Sequence, residues 1–338
     1  MNRMKTRKAS RSKLELTILK QGSPSKNVLS SSFFTMKGAY RPVEEYQRNV
    51  IRFLRQKQGL KGFETRIYTD DTGKDFILNA TKHDPTVTVI HFQDARFRDG
   101  RGHVGTFATL MRFLPLFEPG LDIVWISDID IPDSYLNPSL LTSMKSRHAK
   151  FSYMSFTCYD KKVYGRSYTI LAGTMISFHT FPKELFTRFL TSLHKPPKTL
   201  QLFIDQLNKT NQERGKPYSR LPYGIDEVFT NTSLYNYLVR YSIPVFIRKD
   251  YEYARTYLYG IRTKEDNLAF EAYYRHPTQQ TFERVKRIFK EKLPMIVHSH
   301  PCIQDTLHHL HSFKSSFVKF LLKTGKELDE NIYDHVGR

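Results

Sequence analysis

The chain has 338 residues, 39% of them apolar and 14% aromatic, and its 53 Lys and Arg against 33 Asp and Glu give a formal charge of +20. That apolar content excludes a wholly disordered chain, and the length admits one large domain or two ordinary ones. The positive excess favours an anionic partner without choosing among nucleotides, nucleic acid, acidic glycans and an anionic membrane surface.

Residues 1–26 are basic, Ser-rich and aperiodic, which predicts a flexible tail. VLSSSFFTM (28–36) reads as a strand. Pro42 then opens a helix in which Val43, Tyr46, Val50, Phe53 and Leu54 share one stripe. TRIYT (65–69) is a strand ending at Asp70 and Asp71, and the β-branched TVTVIHF (86–92) is another. A basic, Gly-containing loop (96–105) leads to a helix with Phe107, Leu110, Met111 and Leu114 at helical spacing, stopped by Pro115. Residues 122–127 form an apolar strand that runs up to Asp128 and Asp130. Strands are expected at 151–159, 168–178 and 244–249, helices from about 183 and 199, and a turn that becomes helical over 221–238. Residues 303–327 read as a basic amphipathic helix. The order β-α-β-β-α-β argues for an α/β fold with a mainly parallel sheet and helices on its faces. The expected organisation is a basic tail over 1–26, a single catalytic domain over 27–300 and a helical extension over 301–338.

Ligands of such open sheets bind outside the carboxyl ends of the strands. Asp70–Asp71 and Asp128/Asp130 both fall at such ends, which makes them one candidate site. A hard cation such as Mg²⁺ or Mn²⁺ takes oxygen ligands and keeps positions open for substrate phosphates. The two cysteines, Cys158 and Cys302, form neither a disulfide framework nor a CxxC zinc motif and fit a reducing compartment. No run approaches about 18 uninterrupted apolar residues, so no transmembrane helix is expected.

The run MRFLPLFEPGLDIVWISDIDI resembles the donor-site segment of GT-A glycosyltransferases, in the glycogenin-related, retaining branches. There a helix bearing an Arg leads into an apolar strand ending in D-x-D. LAGTMISF (171–178) is similar to that family's small-residue strand beside the donor, and YGIDEVFTN (223–231) to its catalytic-centre motif. The resemblance implies a Rossmann-like GT-A domain using Mn²⁺ or Mg²⁺, a nucleotide-sugar donor of UDP type and a glycan or protein acceptor. It implies Asp128 and Asp130 as metal ligands, completed by His298 or His300 of IVHSHP, with His298 preferred. It assigns Asp226 or Glu227 to catalysis, Arg112 to a charge clamp on the diphosphate, and Asp70, Asp71, Ala172 and Gly173 to the donor pocket. With no anchor in the sequence, a cytoplasmic enzyme of bacterial or large-DNA-virus type is expected.

Two other classes compete. A basic nucleic-acid-binding protein would account for the charge, but the charge is scattered and no recognition motif accompanies it, so no stable nucleic-acid complex is expected. A phosphatase of haloacid-dehalogenase type also carries D-x-D after an apolar strand, but normally near the chain start and with Thr or Val where Ile131 stands here.

Overall fold

The computed structural model describes residues 14–36, 42–130, 136–155, 170–213 and 215–249, with scattered positions between 268 and 287 and residues 333–336. These fall into two compact units, one within Met1–Ser152 and Ala172–Val245 and the other within Tyr153–Leu171 and Phe246–Val336. The first carries nearly all of the described structure and every interaction considered below.

The first unit is built on a mixed, mainly parallel sheet with helices on its faces, as the alternation of elements predicts. Its strands are β1 (Glu15–Lys20), β2 (Asn27–Phe33), β3 (Glu64–Thr69), β4 (Val87–Gln93) and, after the two-residue hairpin β5 (Arg98–Asp99) and β6 (Gly102–His103), β7 (Ile123–Ser127). Strands β8 (Phe151–Ser155), of which Phe151 and Ser152 belong to this unit, and β9 (Ile170–Ser177), which belongs to it from Ala172, follow. The spatial order runs β1-β4-β3-β2-β7-β9-β8. Pairs β4–β3, β3–β2 and β2–β7 are parallel, whereas β1–β4 and β7–β9 are antiparallel. The chain builds outward from β2 in one direction through β3 and β4, then returns to place β7 on β2's other side. The reversal puts a topological switch point between β2 and β7, where a crevice opens at the carboxyl ends.

Strands β2, β3, β4 and β7 are largely buried on both faces, and their buried positions include Ser30, Ser31, Thr65, Thr88 and His91 as well as Val, Ile, Leu and Phe. Helix α1 (Val43–Gln56) buries Val50, Phe53 and Leu54, part of its expected stripe. Helices α2 (Lys74–Thr81) and α3 (Ser139–Ser146) were not expected; each has only eight residues and buries two. Helices α4 (Lys183–His194), α5 (Lys198–Glu213) and α6 (Ile225–Phe229) follow, and a π-helical turn (Thr230–Leu234) leads into α7 (Tyr235–Arg240). Strand β10 (Val245–Lys249) begins at the unit's end.

Two expectations are corrected. The segment Phe107–Phe117 is a 3₁₀ helix, and it runs through Pro115 instead of stopping there. A 3₁₀ turn uses i→i+3 bonds, and the Glu118 N–H donates to the Pro115 carbonyl at 3.2 Å. Nine of its eleven residues are buried, Arg112 among them. The proposed tail over 1–26 is ordered from residue 14, because Glu15–Lys20 forms the edge strand against β4. Lys20 Nζ donates to the carbonyls of Asp84 and Val87 at 2.6 and 2.8 Å, and the Gly22 N–H to Thr88 Oγ1 at 2.9 Å. The expected helix over 303–327 lies outside the described residues.

Candidate functional site: a carboxylate cluster around a buried arginine

Strand β7 buries Val124, Trp125 and Ile126, and the chain leaves the sheet at Asp128. Pairing with β9 persists for one residue more, since the Asp128 N–H donates to the Gly173 carbonyl at 2.7 Å. A Cβ on Gly173 would lie 2.9 Å from Asp128 Oδ2, so only glycine lets the carboxylate rest against β9.

Arg112 enters from the 3₁₀ segment and is 3% exposed. Its Nη2 lies 3.0 Å from Asp128 Oδ1, 2.7 Å from Asp226 Oδ2 and 3.1 Å from the Ala172 carbonyl. One terminal nitrogen has two hydrogens, so three acceptors share them. The guanidinium carbon stands 5.0 Å from the Phe113 ring centroid, and the Arg112 carbonyl accepts from Ser30 Oγ at 2.7 Å, fixing the segment to β2. Burial by itself would lower the guanidinium pKa. The fields of Asp128 and Asp226, the hydrogen bond to Asp226 and the field of Asp130 overcome that and raise it.

Asp226 and Glu227 occupy the first turn of α6, where carboxylates suit the positive end of the helix. The turn is set by Gly224 at φ 96°, a left-handed conformation that favours glycine. Tyr223, just before it, is 58% exposed. Even so, burial of its hydroxyl end and then the fields of Glu227, Asp128, Asp226 and Asp130 push its phenol well above the usual value. Four carboxylates from two distant segments therefore act on one hydroxyl. Sequence reasoning did not single out Tyr223; its place inside YGIDE was the available signal.

The donor set suits a hard cation in chemistry: carboxylate oxygens in excess over the one arginine among them. Among the described residues, no three His, Cys, Asp or Glu side chains are grouped to hold an ion. His298 and His300, the expected further ligands, lie outside the described residues.

Asp70 and Asp71 belong elsewhere. Asp70 is 1% exposed; its Oδ1 accepts from the Thr72 N–H and hydroxyl at 2.9 and 2.5 Å, and its Oδ2 bonds His103 Nδ1 at 2.9 Å. The Asp94 N–H donates to His103 Nε2, so that ring carries its proton on Nδ1. Both Asp70 oxygens thus bond partners inside the fold. Asp71 receives Lys74, His91 and Arg98 at 3.0, 3.1 and 3.0 Å. The Lys74 hydrogen bond leads the effects that bring its carboxyl down to about 2. Arg112 is likewise turned onto Asp128 and Asp226 rather than outward. Ala172 and Gly173 do border the cluster, through a carbonyl and an absent Cβ.

No helix among the described residues is long and apolar enough to cross a membrane. No family model and no curated protein matches the chain. Among solved structures it is similar to the 4-diphosphocytidyl-2C-methyl-D-erythritol synthase of Anaerococcus prevotii, at 13% identity over 62% of this chain and 100% of that one, with a TM-score of 0.31.

Proposed function

We propose that the protein is a glycosyltransferase that moves a sugar from a nucleotide-sugar donor, of UDP type, to a glycan or protein acceptor. One observation carries the reading: Asp128 and Asp226, from two distant segments, meet on the buried Arg112, with Asp128 at the carboxyl end of β7, beside the switch point, and the fields of Asp130 and Glu227 bear on the neighbouring Tyr223. The ordered resemblance of the same segments to GT-A enzymes agrees with it.

In this reading Asp128 and Asp130 hold Mn²⁺ or Mg²⁺, which would neutralise the donor diphosphate as a leaving group. Arg112 is a positioning residue. It fixes Asp128 and Asp226 relative to each other so that neither carboxylate must reorganise during reaction. Asp226 and Glu227 face the sugar and hold its hydroxyls or the attacking acceptor. In the net transfer the anomeric C–O bond to the diphosphate breaks, the acceptor oxygen bonds the anomeric carbon, and the acceptor proton passes to a basic oxygen at the site. Retention of configuration is the expected outcome. The departing diphosphate adds negative charge where four carboxylates already stand, which is why a cation belongs in the scheme.

The test is a hydrolysis and transfer screen over UDP-, GDP-, CMP- and dTDP-sugars with and without Mn²⁺. Turnover of one donor class, dependent on metal and lost in Asp128→Asn, is expected. Donor turnover that is indifferent to both metal and Asp128 would overturn the proposal.

A further inference from the structure

A groove of about 580 Å³ lies between α4, α5 and the π-helical turn with α7, apart from the carboxylates described above. Arg188 of α4 and Arg240 of α7 line it, together with Asn236, Tyr237 and Tyr241. The Tyr237 and Tyr241 rings sit 4.5 Å apart between centroids at 42°, and the Arg240 guanidinium carbon is 5.6 Å from the Tyr241 ring. Among the described residues neither Arg188 nor Arg240 pairs with a carboxylate, although Glu184 stands on the same wall. Arg188, Asn236, Arg240 and Tyr241 are exposed, Ser192, Thr199, Thr232 and Ser233 add hydroxyls, and Leu185, Phe189, Leu200 and Phe203 are among the apolar residues that form much of the remaining wall.

Two unspent guanidiniums beside tilted tyrosine faces, with hydroxyls, the Asn236 amide and an apolar wall around them, answer to a particular ligand. Aromatic faces pack on the C–H faces of sugar rings. Guanidinium forks bind carboxylate or sulfate in bidentate geometry. The volume lies within the range of built ligand pockets. Nucleic acid would ask for a basic track following a phosphate backbone, whereas this groove offers two cations opposed by one acid. A neutral glycan would leave both guanidiniums unanswered. We propose that this groove binds an oligosaccharide carrying acidic groups, carboxylate or sulfate. The proposal draws nothing from the carboxylate cluster, so it stands or falls separately from the transfer reaction.

The experiment is calorimetric titration of the full chain, without donor, using three probes of equal length: a uronic-acid oligosaccharide, a sulfated one and a neutral glucan. A single-stranded oligonucleotide is the fourth. Binding of one acidic probe, at least about tenfold tighter than the glucan, is expected. Arg188→Ala with Arg240→Ala should weaken it by about tenfold or more, and Tyr241→Ala by several-fold, with melting temperatures unchanged because all three side chains are exposed. The stronger of the two acidic probes identifies the acid group. Equal binding of acidic and neutral glycans, or affinity unmoved by the double arginine variant, would overturn the proposal. So would oligonucleotide binding alone that fell with that variant, which would make the groove a nucleic-acid surface. Asp226→Asn, at the other cluster, should leave the affinity unchanged.

Discussion

A guanidinium buried beside two carboxylates is held only while both stay in place, and the carboxylates in turn depend on it. Arg112→Ala would leave Asp128 and Asp226 without their shared counter-charge. The expected loss is on the order of 3 kcal/mol, less than for a wholly enclosed pair because Asp128 is partly exposed. Urea unfolding measures it, and a loss below about 1 kcal/mol would mean that solvent already screens the triad. Asp226→Asn keeps the shape but halves the partnership. It should lower kcat by about a hundredfold or more while UDP affinity changes little, the pattern of an interaction made in the transition state. An equal fall in affinity and kcat/KM at constant kcat would assign Asp226 to donor binding instead. Gly173→Ala tests the packing of the other carboxylate. With Asp128 Oδ2 only 2.9 Å from the new methyl, the carboxylate must shift, so turnover should drop with little change in melting temperature. Undiminished turnover would show that the position of Asp128 is not critical.

Elements reveal how much of this could be read beforehand. Strands β2, β3, β4 and β7 are all readable as short strand-like runs, most plainly the β-branched β4 and the apolar β7, although β2 and β3 bury Ser30, Ser31, Glu64 and Thr65. The 3₁₀ segment is not. Phe107, Leu110, Met111 and Leu114 follow the α-helical spacing, whereas Ala108, Arg112 and Phe113 off that stripe are buried as well, so the 3₁₀ form is not written in the spacing. Strand β1 is hidden for the opposite reason: all but Lys20 of its residues are exposed, Ile18 at 57%, so no alternation marks it inside a basic stretch. The site was legible in part. D-x-D and YGIDE are visible as strings, whereas their junction through Arg112 is a tertiary contact that no local pattern encodes. The pairing of Asp70 with His103 of β6 is likewise a contact that no local pattern encodes. One contact between loops is open to direct test. Gly105 has φ 51°, and a Cβ there would meet the Leu221 carbonyl at 1.9 Å. Gly105→Ala should therefore destabilise the protein by roughly 2 kcal/mol or more by forcing apart the two loops that meet there. Thermal unfolding checks it; a shift within about 0.5 kcal/mol would show that the loops yield freely.

At the level of the molecule, charge sets the response to acid. Asp71 is held at about 2 in the fold against 3.8 unfolded, so its contribution is complete above pH 3.8 and disappears as pH falls through 2. Allowing for solvent screening, it amounts to on the order of 1 kcal/mol. Asp71→Asn should flatten the acid limb of the stability curve in that window and lower the plateau above it. An unchanged limb would mean that Lys74 and Arg98 do not hold the carboxylate in solution. The arginine triad has another effect, on time. Arg112 and Asp226 stand 114 residues apart, and Arg112 reaches Ser30 across 82. Until those distant stretches dock, the carboxylates repel one another with no cation between them, and closing such long loops is slow. Refolding should therefore restore the helical signal first and the arginine-bridged cluster last, leaving a transient chain that is folded over most of its length and still unable to work.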